Sequence, residues 1–240
     1  MARPVSRALD RDALALAAPF TGKTEPHWLA DEETVEFPMS LPAGSSARNL
    51  EDELRAALAP RPVDVAVLPA QNRRKRLLVA DMDSTFIAQE CIDELGAAAG
   101  VGEHVAAVTI RAMRGELDFE QALRERVALM AGLPADVIGS LLAATRFTPG
   151  GRTLVGTMRA SGAYTALVSG GFTQFTSHVA AATGFDEHRA NELLIADGKL
   201  LGKVAEPILG RAAKIEALDA LTAARGLSRA DAITVGDGAN

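Results

Sequence analysis

Leu77-Leu78-Val79-Ala80-Asp81-Met82-Asp83-Ser84-Thr85 sets two carboxylates, one residue apart, directly after four apolar residues. The basic residues Arg73-Arg74-Lys75-Arg76 precede the run. It therefore reads as a short core strand of a parallel sheet, and its carboxyl end is where open α/β folds bind ligands. Two acids in that position repel each other unless a cation lies between them. Hard oxygen donors with no nearby His or Cys cluster favour Mg²⁺, and Mg²⁺ favours a phosphate substrate. Taken alone the pair also suits a turn or a cap.

The 240 residues suffice for one large core or for a main domain with a small companion. A hydrophobic fraction of 48% and a charged fraction of 23% are those of an ordinary globular protein. No apolar run approaches the ~20 residues that span a bilayer, so no membrane partner is expected. Asp10 and Asp12 interrupt the approach from Arg3 and Arg7 to the apolar residues 13–20, and no signal peptide is read. The net charge of -6 argues against nucleic acid, leaving residues 73–76 as a solvated strand entry. Cys91 is the single cysteine. It excludes an internal disulfide, fits a reducing cytoplasm, and reads as a small buried hydrophobe.

Residues 37–46 are rich in turn formers, and a helical pattern over 50–58 and an alternating run over 63–68 follow. These predict a small α/β domain over residues 1–70, joined to the catalytic strand by a linker. Residues 89–145 are helical in pattern, with breaks near Gly100, Gly115 and Gly132, so about four helices interrupt the sheet. A helix over 150–161, a strand over 164–168 and a helix over 172–182 resume the βα alternation. Asp197-Gly198, between apolar segments, signals a hairpin over 193–204. A helix over 211–225 and a strand over 232–235 lead to Gly236-Asp237-Gly238-Ala239-Asn240.

Three apolar strands thus end in residues suited to one phosphate and one metal: Asp81 and Asp83, then Ser169-Gly170-Gly171, then Asp237 and Asn240. In a parallel sheet these ends lie side by side. Ser169 and the Gly170 amide can donate to phosphate oxygens, glycine lets the backbone approach, and the next helix offers its positive N-terminus. Lys214 precedes the third strand, where a cation would offset charge on a transferring phosphoryl group; by itself it reads as a solvated lysine.

This set resembles the phosphoserine phosphatases of the haloacid dehalogenase superfamily, over residues 76–240. The resemblance is carried by Asp81-Met82-Asp83-Ser84-Thr85, Glu90, residues 118–127, Ser169-Gly170-Gly171-Phe172, Lys214 and residues 236–240. It implies a Rossmann-like parallel sheet core over 71–88 and 146–240, with an inserted helical cap over 89–145. The N-terminal domain lies outside the match; such domains are regulatory or dimerising, the latter giving a homodimer. It further implies hydrolysis of O-phospho-L-serine in the last step of serine biosynthesis, with Asp81 attacking phosphorus and Asp83 as general acid and then base. The implied Mg²⁺ ligands are the Asp81 side chain, the Asp83 carbonyl and the Asp237 side chain. Ser169, Gly170, Lys214 and Asn240 would hold the phosphate.

The sequence also speaks to specificity. Leu123, Arg126, Val127 and Met130 share one helix face, so Arg126 lies within an apolar stripe while Arg124 points away. By resemblance Arg126 meets the substrate carboxylate and Glu90 its ammonium; the competing reading pairs Arg126 with a cap Glu. Two other functions stay open at this stage: a phosphatase of another small phosphorylated metabolite, and a truncated non-catalytic phosphate-binding fragment. Beyond the resemblance, Glu90 is a first-turn helix acid.

Overall fold

A computed structural model describes residues 8–22, 24–41, 43–210 and 212–238. The chain divides into two compact units, Met1–Arg73 and Arg74–Asn240.

In the first unit, helix α1 (Arg11–Ala17) is capped by Asp10, which accepts the Ala13 amide at 2.8 Å. Strands β1 (His27–Ala30) and β2 (Thr34–Glu36) form an antiparallel pair. Helix α2 (Ala47–Leu58), capped by Ser46, buries Leu50, Leu54 and Leu58, a four-residue spacing that makes one apolar stripe. Residues 63–68 alternate in burial as their pattern predicts: Val63, Val65 and Val67 turn inward against Ala13, Ala17 and the α2 leucines. Apart from a single β-bridge at Val63 they form no strand among the described residues. Side chains of α2 take the place of a partner strand, Arg55 donating to the Val65 carbonyl (3.1 Å) and Glu51 accepting the Val67 amide (3.1 Å).

The second unit is built on β3 (Leu77–Ala80). The strand is buried throughout, with Leu78 and Ala80 on one side of the sheet and Leu77 and Val79 on the other. Four helices follow: α3 (Cys91–Ala98), α4 (Gly102–Met113), α5 (Phe119–Ala128) and α6 (Val137–Ala143). Helix α5 begins with a capping box, in which Asp118 accepts the Gln121 amide (2.8 Å) and Gln121 accepts the Asp118 amide (3.1 Å). The chain enters and leaves this insert through two paired linkers. Ala88 donates to the Arg146 carbonyl (2.9 Å), and Thr148 donates to that of Phe86 (3.0 Å). Buried Gln89 closes the pair, donating to Ala144 (2.9 Å) and accepting from Arg146 (3.0 Å).

Helix α7 (Gly151–Ala160) leads to β4 (Tyr164–Phe172), α8 (Thr173–Thr183), β5 (Glu187–Asn191) and the hairpin β6 (Leu193–Ala196) and β7 (Lys199–Val204). Asp197 and Gly198 turn the hairpin with φ of 50° and 70°, the left-handed pair that a two-residue turn requires. The hairpin grips the insert: Gly132 donates to the Leu200 carbonyl (2.8 Å) and Leu200 to that of Leu133 (2.9 Å). Helix α9 (Ala213–Ala224) and β8 (Ala232–Val235) complete the sheet, whose order is β5-β4-β3-β8, all parallel. The connections run from β3 outward through β4 to β5 and then return to its other side as β8. The switch point, where such sheets bind ligands, therefore lies at the carboxyl ends of β3 and β8.

One expectation needs correcting. Strand β4 does not stop at Val168 but runs through Ser169-Gly170-Gly171 to Phe172, with an irregular register against β5 between Val168 and Phe172. The glycines do not turn the chain; they leave its extended backbone uncovered. Strand β8 is half-exposed, being paired on one side only among the described residues. No helix among the described residues is long and apolar enough to cross a membrane.

Candidate active site

A cavity of about 180 Å³ opens at the switch point, lined by Asp81, Asp83, Glu90, Arg126, Ser169, Gly170, Lys214 and Asp237. Eight of the nine residues singled out from the sequence thus face one space; Asn240 lies outside the described residues. Phe119, Leu123, Gly171 and Gly210 line it as well.

Asp81 follows β3 directly and is 5% exposed, its amide bonded to the Val235 carbonyl of β8 at 2.9 Å. One carboxylate oxygen accepts the Met82 amide (2.8 Å), and the other forms an ion pair with Lys214. Lys214 is therefore committed to the site, and the solvated reading fails. Its place in the first turn of α9 delivers the ammonium across the end of the sheet.

Asp83 sits just beyond, where the Met82 carbonyl gathers the amides of Thr85, Phe86 and Ile87 into a tight turn. Burial pushes its carboxyl up to about 7. A hydrogen bond from the Cys91 side chain opposes the shift, while the negative charges of Glu90 and Asp81 add to it. Its Oδ1 also accepts the Cys91 amide at 3.4 Å. A Cβ on Gly171 would stand 2.7 Å from Asp83 Oδ2 and 3.2 Å from Ser169 Oγ, so the bare backbone is what admits both groups. Cys91 is 2% exposed, and burial first, then the Asp83 charge, push its thiol far above the usual range, which suits a packing residue and not a nucleophile.

Ser169, 2% exposed, accepts the Gly171 amide at 2.9 Å and keeps its own hydrogen available for donation. Across the cavity, Glu90 occupies the N-cap position of α3 yet caps nothing with its side chain; Ser84 Oγ donates to it at 2.6 Å. Leu123, Val127 and Met130 are buried on the cap side of α5. Arg126 lies among them half-buried, its Nε donating to the Ala122 carbonyl at 3.1 Å. Among the described residues Arg126 makes no ion pair; burial lowers its pKa, and the cap acids Asp93 and Glu90 act on its charge through space against that shift. Arg124 points outward and binds Glu120 (3.0 Å) and Glu206 (2.9 Å). The Phe119 ring closes over Gly170, its tip 2.9 Å from where a Gly170 Cβ would be. Phe119 has no sequence signal as a site residue, because an aromatic at the first position of a helix reads as core.

Among the described residues no group of three or more His, Cys, Asp or Glu side chains converges to hold a metal. The set expected from the sequence needs only two side-chain carboxylates, those of Asp81 and Asp237, with the Asp83 carbonyl as third donor. The cavity lining carries four acids (Asp81, Asp83, Glu90, Asp237) against two cations (Arg126, Lys214). Hard oxygen donors with surplus negative charge fit a divalent cation of the Mg²⁺ type.

A phosphoserine phosphatase of Streptomyces coelicolor is 45% identical over 208 residues, covering 86% of this chain and 50% of its own length. One of Streptococcus thermophilus is 45% identical over 166 residues, covering 69% of this chain and 77% of its own. A solved phospho-aspartyl intermediate analogue of phosphoserine phosphatase superposes with a TM-score of 0.62 at 36% identity, over 67% of this chain and 77% of that one. The chain spans about half the length of the Streptomyces relative. The family model of haloacid dehalogenase-like hydrolases matches residues 78–240, from the first catalytic strand through the whole sheet and its helical insert, and the chain belongs to that family.

Proposed function

We propose that the chain is a Mg²⁺-dependent phosphoserine phosphatase, hydrolysing O-phospho-L-serine to L-serine and phosphate as the last step of serine biosynthesis. The observation that carries this reading is the charge arrangement of one small cavity. Asp81, Ser169, Gly170 and Lys214 suit a phosphate, and the same space receives an acid, Glu90, and a half-buried guanidinium, Arg126, that makes no ion pair among the described residues. An α-amino acid phosphomonoester carries the complementary set: a phosphate, an ammonium and a carboxylate.

In this mechanism a carboxylate oxygen of Asp81 attacks phosphorus, and the bond from phosphorus to the serine oxygen breaks. Asp83, with a carboxyl near neutrality and thus able to exist in both forms, protonates the departing oxygen. It then takes a proton from the water that attacks the aspartyl phosphate, releasing phosphate and restoring Asp81. Ser169, the Gly170 amide and Lys214 bind the phosphoryl oxygens; Lys214 exchanges its contact with Asp81 for one shared with the phosphate. The Asp81 and Asp237 side chains and the Asp83 carbonyl would hold Mg²⁺, which supplies charge neutralisation at the phosphoryl group. Arg126 and Glu90 orient the amino acid.

The test is phosphate release over a panel of phosphorylated amino acids and sugars, with and without Mg²⁺. Phosphoserine should be the best substrate, with activity abolished by chelation. A flat panel, or full activity in the presence of chelator, would refute the reading.

A further inference from the structure

Asn191 lines no part of the cavity, yet it is 2% exposed and makes three hydrogen bonds, each to the backbone of a segment that does line it. Its Nδ2 donates to the Gly170 carbonyl (2.9 Å) and to the Leu209 carbonyl (3.3 Å), while its Oδ1 accepts the Leu209 amide (2.8 Å). Both donor hydrogens are thus used, and a side chain at the end of β5 spans two segments that local sequence does not connect.

The consequences on each side follow from geometry. In a trans peptide the carbonyl and the next N–H point in opposite directions. With the Gly170 carbonyl held by Asn191, the Gly171 N–H is aimed away from it, and the group it meets is Ser169 Oγ at 2.9 Å. That bond occupies an acceptor site on the hydroxyl and turns its hydrogen outward. On the other side Leu209 is fixed through both its N–H and its C=O. Gly210, a cavity residue, comes next, and α9 with Lys214 starts three residues later.

Taking the phosphatase reading above as its basis, we propose that Asn191 is a positioning residue that locks Ser169 and Gly170 in register with Lys214 around one phosphate. It touches no reacting atom. It acts on the half of the substrate that every phosphomonoester shares, so its loss should not discriminate between leaving groups.

The experiment uses the full chain with Mg²⁺ and two variants. Asn191→Leu fills the space and removes all three bonds; Asn191→Asp keeps the shape and the acceptor for Leu209 but has nothing to donate to the two carbonyls. Activity is measured on phosphoserine and on an aryl phosphate, together with inhibition by inorganic phosphate and the thermal midpoint. A misplaced binding group costs up to roughly 10²-fold. Losses in kcat/KM of about that size, equal on the two substrates, are expected, with a raised KM and phosphate inhibition weakened about tenfold or more. A lower thermal midpoint with KM and phosphate inhibition unchanged would overturn the proposal, since a purely structural role alters the amount of active protein and not its affinity. Should the Leu variant fail to fold, the near-isosteric Asp variant carries both measurements. A wild-type protein inert toward phosphoserine overturns the substrate assignment and not this role. Calorimetry of inorganic phosphate with Mg²⁺ then reads the cradle directly, and equal affinity in wild type and variants would sink it.

Discussion

The two walls of the cavity are built to different standards. On the sheet side, Asp81 and Ser169 are 5% and 2% exposed, and each is fixed by a backbone amide; Lys214 is held by Asp81. On the insert side, Glu90 is exposed with one hydroxyl as hydrogen-bond partner, and half-buried Arg126 is tied to a carbonyl of its own helix. Asp237, on the sheet side but after edge strand β8, is exposed as well. Under the function proposed above, the rigid wall would hold what every phosphomonoester shares, and the looser one would meet what distinguishes them. Preorganisation belongs where charge develops in the transition state, whereas a recognition surface loses less by adapting.

The comparison is broken most completely from the rigid side. Asp81→Asn keeps the shape but cannot form the acyl phosphate, so turnover should fall below detection while the thermal midpoint holds. Residual single-turnover phosphate release by that variant would remove Asp81 as nucleophile. Asp83→Asn should slow phosphoserine and an aryl phosphate together, by the ~10²–10⁴-fold that general acid-base help is worth. A loss confined to the poorer leaving group would mean that Asp83 acts only as an acid.

Gly171→Ala comes next and needs no change to any polar group. The added methyl would stand 2.7 Å from Asp83 Oδ2 and 3.2 Å from Met82 Cε, and Met82 is fully buried. Asp83 must therefore move, and a loss of roughly 10²-fold on every substrate is expected. Wild-type activity would show that this wall yields as easily as the other.

How much of this was legible depended on whether a residue works through its neighbours in sequence or across the fold. The run before Asp81, the four-helix insert and the Asp-Gly hairpin each carry a local period or turn chemistry, and each is found where the pattern placed it. The acid pair, Ser169 and Lys214 could be ranked because three strand ends agreed. What escaped is long-range and polar. Gln89 clasps residues 144 and 146, and Asn191 joins residues 170 and 209. A single amide at a strand or linker end has no periodicity to betray it. Strand β4 misled for a related reason, since Ser-Gly-Gly has the composition of a turn and here serves as strand left bare for a ligand. Val63, Val65 and Val67 show the converse: the alternation is real, yet among the described residues it yields one bridge residue, Val63, and no strand.

From the looser side, Arg126→Ala should separate the two kinds of substrate. Losing a charged hydrogen-bonded contact costs about 1.5–3 kcal/mol, hence roughly 10- to 150-fold in kcat/KM for phosphoserine. An aryl phosphate without a carboxylate should lose little. Because Arg126 donates only to Ala122 in its own helix, the variant should remain folded. Equal losses on both substrates would make Arg126 a structural part of α5.

The smallest effect belongs to Ser84, the hydroxyl behind the looser wall. Ser84 has a positive φ of 51°, a conformation that a serine tolerates where its side chain gains a local bond, and the bond it gains is to Glu90 at 2.6 Å. Removing the hydroxyl in Ser84→Ala leaves the Glu90 carboxylate exposed to water, which can replace the lost donor, so only the net value of one hydrogen bond is forfeited. That is about 0.5–1.5 kcal/mol, or roughly a two- to tenfold rise in KM for phosphoserine. The turnover number and the activity toward an aryl phosphate should stay near wild type, because the acid pair and the phosphate cradle are untouched. Loss of activity on both substrates would instead place Ser84 with the rigid wall, as a support for the Asp83 turn, whose amides at residues 85, 86 and 87 all converge on one carbonyl.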